Sequence, residues 1–334
     1  FNRRVGMRES AARLVAAMQQ DSLARKVMQA YTAGVNAYIE ALSEEEYPLE
    51  YKLLNYAPEP WTNLKTALLL KRMSWDLTAR HKDAELTYAL EKYGPEVVSK
   101  LYPNYAAWQR PVHPPQGIER DFRPLDVPPI PDSITAGVPG LALLDAPQPH
   151  EGNGSNNWAV SGRRTRSGYP LLANDPHLGL KLPSIWLEMQ LAAPGVNVYG
   201  TSLPGAPGVI IGFNQEIAWG VTNTYADVFD WYAITFRDSS YTEYLHAGEW
   251  KPVKMVPETL AVKGKKQPIV DTVRWTHHGP VVYLPKEEGN GQAPVGHALK
   301  WVAHEPSAEV KTFYNLNRAE NYTDYEAALE YYFA

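Results

Sequence analysis

The sequence contains no cysteine. That excludes disulfides, thiolate nucleophiles and cysteine-ligated metals, and it leaves the redox compartment undetermined. No apolar run approaches the roughly 20 residues of a membrane-spanning helix, so no such span is expected. Basic charge is not in excess either. The 32 Lys and Arg stand against 37 Asp and Glu, a net charge of −5, which gives no electrostatic reason to expect a nucleic-acid partner. There is no internal repeat and no low-complexity tract. Gly152-Asn-Gly-Ser155 lacks the Gly-Lys-Ser/Thr ending of a phosphate loop, and no Gly-x-Ser-x-Gly elbow surrounds Ser155.

Aromatic residues and proline are plentiful: 10 Trp, 21 Tyr and 28 Pro. Rings in that number suit a large core or a ring-lined ligand cleft. With 44% hydrophobic and 21% charged residues the composition is that of a globular chain. Both ends read as cut. Phe1 opens directly into charged helical sequence with no initiator Met or signal peptide, and residues 322–334 begin a helix with no stop signal. A piece of a longer protein is expected.

Periodicity divides the chain. Residues 1 to about 110 read as helical, with apolar residues three and four apart in Ala11–Gln20 and Ala24–Leu42, a further helix over Leu64–Leu77, and another over Asp83–Tyr93 stopped by Gly94-Pro95. Residues 111–154 are rich in Pro, Gly and Asp and read as a linker. From Ser155 the pattern alternates as strands do: Asn156–Ser161 and Leu171–Ala173 flank a basic turn, and further strands are expected over 185–191, 196–199, 209–213, 217–222, 229–236, 253–255, 270–275 and 297–302. Helix returns after Pro306. The class is α+β.

Within Glu151-Gly-Asn-Gly-Ser-Asn-Asn-Trp-Ala-Val160 the Gly154-Ser155 step has a particular chemical meaning. A serine needs a base within reach, and no histidine is near in sequence. Cleavage before Ser155 would supply one, because a free α-amino group titrates at roughly 7.7–8.0. Glycine at 154 would tolerate backbone geometries that a substituted residue resists. Alone, this dipeptide is an ordinary loop before a strand. Four segments read together give it weight: Ser155-Asn-Asn-Trp-Ala-Val160, Ala173-Asn-Asp-Pro-His-Leu-Gly179, Gly205-Ala-Pro-Gly-Val-Ile-Ile-Gly-Phe-Asn214, and Ile217 to Asp230 with its Trp219-Gly-Val-Thr-Asn223.

In order, spacing and wording these segments resemble the penicillin amidase family of N-terminal-nucleophile (Ntn) hydrolases. Tyr31-Thr-Ala-Gly-Val-Asn-Ala-Tyr38 and Pro58-Glu-Pro-Trp-Thr62 are similar to its small α subunit, and Thr276-His-His-Gly-Pro280 and Asn315-Leu-Asn-Arg-Ala319 to its large β subunit. The resemblance implies an αββα sandwich present as a fragment: a helical α-subunit region over 1–129, a spacer over 130–154, and the N-terminal part of the β subunit over 155–334. It implies autocatalytic cleavage of a zymogen between Gly154 and Ser155, with Ser155 as nucleophile and its α-amine as base. The main-chain N–H of Asn223 would be one oxyanion donor, and a second, an asparagine side chain, would lie beyond Ala334. His177 matches a site-lining position. Histidine there is more typical of branches similar to cephalosporin and acyl-homoserine-lactone acylases, which departs from the glutamine of penicillin G-type enzymes. Asp227, the main chain of Phe229, and Asp230 match a calcium loop, with Glu85 as its α-subunit partner; hard carboxylate oxygens suit that ion. The expected substrate is a small N-acyl amide, such as the acyl side chain of a β-lactam antibiotic, with Phe229 and Trp186 in the acyl pocket. The rest of its own β subunit is the expected partner, and the location is extracytoplasmic (periplasmic or secreted).

Two other readings compete. One is a serine hydrolase with a separate base, such as His277 or His278. The other is a non-catalytic, aromatic-rich domain that binds glycan or peptide. A zinc site at His277-His278 is not expected, since neighbours in a strand face opposite ways.

Overall fold

Apolar residues at helical spacing organise the first hundred residues. α1 (Met7–Gln20) buries Met7, Ser10, Ala11, Leu14 and Met18 along one stripe. Asp21 ends it and starts α2 (Ser22–Ala41), because its carboxylate accepts the N–H groups of Leu23 and Ala24. A short α3 (Leu49–Leu54), not anticipated from periodicity, precedes α4 (Asn63–Thr78). α5 (Asp83–Leu101) breaks where expected: Gly94 has φ 75° and ψ 164°. Helix nevertheless resumes at once, since proline is tolerated in a first helical turn. This computed structural model describes residues 1–78, 83–102, 154–223, 226–285 and 293–332. The expected spacer, apart from Gly154, lies outside the described residues.

Thirteen strands follow among the described residues: β1 (Asn156–Val160), β2 (Leu171–Asp175), β3 (Leu187–Ala193), β4 (Val196–Ser202), β5 (Ile211–Phe213), β6 (Ala218–Trp219), β7 (Phe229–Thr235), β8 (Glu243–His246), β9 (Glu249–Pro252), β10 (Lys254–Leu260), β11 (Ile269–Thr276), β12 (Gly279–Tyr283) and β13 (Val295–Trp301). Helices α6 (Glu309–Leu316) and α7 (Tyr322–Leu329) close the order. All pairing is antiparallel. β3-β4-β5-β6 form one sheet and β10-β11-β12-β13-β7 another, while β1-β2 and β8-β9 stand as separate hairpins. Helices followed by antiparallel sheets and closing helices make the α+β class of an Ntn-hydrolase fragment, as the sequence led us to expect. β8, β9 and β12 were not foreseen. No described helix is long and apolar enough to cross a membrane.

Helix α4 serves both principal cores. Its Ala67 and Leu70 pack with Leu14, Met28, Val198, Trp219 and Leu316. Its Trp75 belongs instead to the core of the five-stranded sheet, stacked on Phe229 at 5.5 Å and set edge-on to Trp301 at 5.5 Å. Lys71, between them, is buried and faces the buried Glu309 of α6 at 3.5 Å.

The motifs that carried the resemblance turn out to be joints between elements. Gly205, at φ +110°, has no room for a side chain: a Cβ would lie 2.8 Å from Trp61 and 2.9 Å from Leu69. Its N–H donates to the Tyr31 hydroxyl at 2.9 Å, and its carbonyl accepts from Thr66 Oγ1 at 2.7 Å. The Asn317 side chain brackets Val209, donating to its carbonyl at 2.7 Å and accepting its N–H at 2.9 Å. Asn214 Nδ2 reaches the Ala319 carbonyl at 2.9 Å.

Candidate active site

Ser155 stands immediately before β1, and the β1–β2 register places Asn156 opposite Asp175. The turn after β2 therefore comes back beside the serine. The Gly154 N–H donates to the His177 carbonyl at 3.0 Å. The His177 ring lies against Gly154, where an added Cβ would sit 2.5 Å from Nε2. A side chain at 154 would therefore collide with the ring. His177 Nδ1 is 3.2 Å from an Asp175 carboxylate oxygen. When Nδ1–H donates to that carboxylate, Nε2 is left as an acceptor over Gly154.

A second clamp fixes the opposite wall. Asn174 Nδ2 donates to the Asn156 carbonyl at 3.0 Å and to the Val221 carbonyl at 2.9 Å, while its Oδ1 accepts the Val221 N–H at 3.2 Å. One side chain thus spans the strand that follows Ser155 and the segment that leads to Asn223. Gly220 permits it, since a Cβ there would lie 2.7 Å from Asn174 Cβ. The Asn223 side chain donates to the Leu77 carbonyl near the end of α4, which sets the position of its main chain.

Ser155 and Asn223 line the same cavity, of about 450 Å³. Leu70, Met73 and Leu77 of α4 form one side, and Thr312, Phe313 and Leu316 of α6 another. Trp186 lines it as expected. Phe229 does not: it is buried against Trp75 in the core of the five-stranded sheet, so its place in the acyl pocket is corrected. The lining is mostly apolar, and three of its polar atoms stand out. Trp186 Nε1, Glu309 Oε2 and Thr312 Oγ1 are buried with no hydrogen-bond partner among the described residues. Burial pushes Lys71 below its ordinary range while Glu309 pulls it back up.

Glu85, Asp227 and Asp230 are exposed and do not form a group of three ligating side chains among the described residues. Phe229 is committed to β7, paired with Trp301. Calcium takes roughly six to eight oxygens, of which these residues could offer those of three carboxylates and one main-chain carbonyl.

Sequence reasoning brought Ser155, His177 and Asn223 forward; Ser155 and Asn223 line one cavity, whereas the His177 ring lies against Gly154 and does not line it. The same reasoning passed over Asn174, Glu309 and Thr312. Asn174 stands inside a quoted motif, beside the more conspicuous histidine. Glu309 and Thr312 read as ordinary helix residues.

The family model described as penicillin amidase matches residues 1–334, and the chain belongs to that family. It is 30% identical over 336 residues to the acyl-homoserine lactone acylase QuiP of Pseudomonas aeruginosa, covering 96% of this chain and 38% of that protein. It is 31% identical over 291 residues to the penicillin acylase 2 proenzyme of Pseudomonas sp. (strain SE83), covering 86% of this chain and 36% of that protein. The chain thus spans well under half the length of these relatives. A thermostable penicillin G acylase from Alcaligenes faecalis overlaps 52% of this chain and 30% of its own, with 26% identity and a TM-score of 0.46.

Proposed function

We propose that the protein hydrolyses linear amides of apolar acyl groups through an acyl-enzyme on Ser155, after self-cleavage of the Gly154–Ser155 bond. The observation that carries this reading is the shared cavity. Ser155 and Asn223 stand on its walls, and Asn174 ties the two walls together. In the continuous chain Ser155 bears a peptide nitrogen and has no α-amine.

Cleavage begins when Ser155 Oγ attacks the Gly154 carbonyl carbon. The C–N bond breaks, an ester forms, and the nitrogen of Ser155 becomes a free amine. Water then hydrolyses the ester and leaves a Gly154 carboxylate. His177, oriented by Asp175, holds an acceptor nitrogen against Gly154 and would take the hydroxyl proton. In turnover the freed amine takes the Oγ proton, and Oγ attacks the substrate carbonyl. The N–H of Asn223 stabilises the developing oxyanion, and the proton passes to the leaving amine. Water attacks the acyl-enzyme by the same relay. No step is routed through calcium.

The relatives are named for acyl-homoserine lactones and penicillins, both of which carry such an amide. The unpartnered Trp186 N–H and the Glu309 and Thr312 oxygens favour an acyl chain with a hydroxyl or similar polar group part-way along it. The working location is proposed to be extracytoplasmic, which cell fractionation tests. Intact mass and N-terminal sequencing test the processing: a product beginning Ser-Asn-Asn-Trp is expected. A panel of plain and hydroxylated N-acyl homoserine lactones and penicillin side-chain amides tests the substrate. A protein that stays as one chain yet turns over amides overturns the mechanism.

A further inference from the structure

Away from the Ser155 cavity, the described residues hold one group of three ligating side chains: His246, His277 and His278. Each offers a ring nitrogen within 4.8 Å of the other two. The His277 ring centroid lies 3.7 Å from that of His278 and 3.8 Å from that of His246. None of the three lines the cavity.

The expectation that His277 and His278 diverge assumed a strand. They are instead the two loop residues of the β11–β12 hairpin, since Thr276 pairs with Gly279. Thr276 Oγ1 accepts the His278 N–H at 3.2 Å and donates to the Gly279 carbonyl at 3.1 Å. Gly279, at φ +130°, abuts the Leu299 carbonyl so closely that a Cβ would lie 2.0 Å from it. The turn is therefore pinned to β13. His246 arrives from another hairpin, β8–β9, whose loop residues Ala247 and Gly248 have φ 52° and 82°, the left-handed pair of a tight two-residue turn. A bridge between Phe236 and Tyr244 holds β8 against the end of β7.

The rings are also oriented from behind. The Tyr244 hydroxyl lies 3.1 Å from His277 Nδ1 and accepts the His277 main-chain N–H at 3.2 Å. A histidine whose Nδ1–H is held by an oxygen presents Nε2 as a lone pair, the arrangement common behind metal-bound imidazoles. His278 stacks on Tyr232 at 3.8 Å. Lys251 and Lys300 are close enough to His277 to act on it electrostatically. Those two lysines also disfavour a cation bound by charge alone. Imidazole nitrogen with no carboxylate in the group selects borderline transition metals over calcium or magnesium.

We propose that His246, His277 and His278 bind one divalent transition-metal ion, of the zinc, nickel or copper class, with water completing its shell and the ion pinning the β8–β9 hairpin to the β11–β12 turn. Metal–nitrogen bonds of about 2.0–2.1 Å in a tetrahedral shell put the nitrogens about 3.3–3.4 Å apart, a modest ring rotation from the observed group.

The test uses tag-free protein titrated with zinc by calorimetry and with cobalt by absorption. Binding of about one ion per chain is expected, with a tetrahedral-type cobalt spectrum. His246→Gln and His278→Gln should each weaken binding by about tenfold or more, with folding checked by circular dichroism. X-ray absorption on the zinc-loaded parent needs no variant and should show three imidazole nitrogens. Absence of zinc binding, binding that survives both substitutions in folded protein, or a shell with fewer than three imidazoles would overturn the assignment.

Discussion

Strands β13 and β1 are each paired antiparallel, yet they are held in opposite ways. Five of the seven residues of β13 are buried, and none of the five in β1 or the five in β2 is. β13 is placed by the hydrophobic effect, packed between neighbours and against Trp75 of α4. The Ser155 hairpin is placed by a few directed hydrogen bonds: Asn174 to Asn156 and Val221, and Gly154 to the His177 carbonyl. The fold rests on area, whereas the cleft rests on geometry, and the two respond to different substitutions.

The comparison breaks most sharply at Ser155. Ser155→Ala should leave the protein folded, uncleaved by mass spectrometry, and at least about a thousandfold less active. In the core, Trp75→Ala should lower unfolding free energy by about 3–5 kcal/mol in urea titrations, because it removes a fully buried ring from its aromatic contacts with Phe1, Phe229 and Trp301. His304 gives the pH counterpart. Burial lowers it to about 4, although its Nε2–H bond to the Val5 carbonyl pulls the other way. The unfolded chain, with histidine near 6.5, binds the extra proton between those two values. Stability contributed by the neutral ring is thus present above about pH 6.5 and lost as pH falls toward 4, by up to about 3 kcal/mol. Unfolding curves at pH 7.5, 6 and 5 measure the loss, and His304→Gln should flatten it.

Asn174→Ala sharpens the comparison from the other side. It should cost only about 1–2 kcal/mol in stability, since its hydrogen bonds are exposed, yet lower kcat more than it raises KM. Equal effects on the two would mean that the clamp merely supports the fold. The smallest effect is expected at Trp158, 59% exposed on β1. Trp158→Ser should change stability by no more than about 0.5 kcal/mol in the same titration.

Much of this was legible in the chain because it obeys simple periods. The three- and four-residue spacing of apolar residues in Ala11–Gln20, and the β-branched and aromatic run in 229–236, declare helix and strand without any tertiary information. β12 was missed because Gly279 and Pro280 read as punctuation, although Pro280 pairs with Trp275 inside a sheet. Ser155 and Asn223 were legible only through the collinear motifs. Asn174 was not singled out, because the use of an amide side chain as a bridge depends on two segments 47 positions apart meeting in space. The histidine group escaped for the same reason. Which turn 277 and 278 occupy, and what lies across from it, is set by Gly279 against Leu299 and by a separate hairpin.

The joint at Gly205 bears on what a cut at Gly154 would do to the molecule. Tyr31 and Thr66 on one side of that bond hold Gly205 on the other, Lys71 faces Glu309 across it, and Ser10 donates to the Ala303 carbonyl. Scission would therefore be nearly silent mechanically. The halves would migrate as one particle on a sizing column and part only in denaturant, so a native gel alone would never reveal that the chain had been opened.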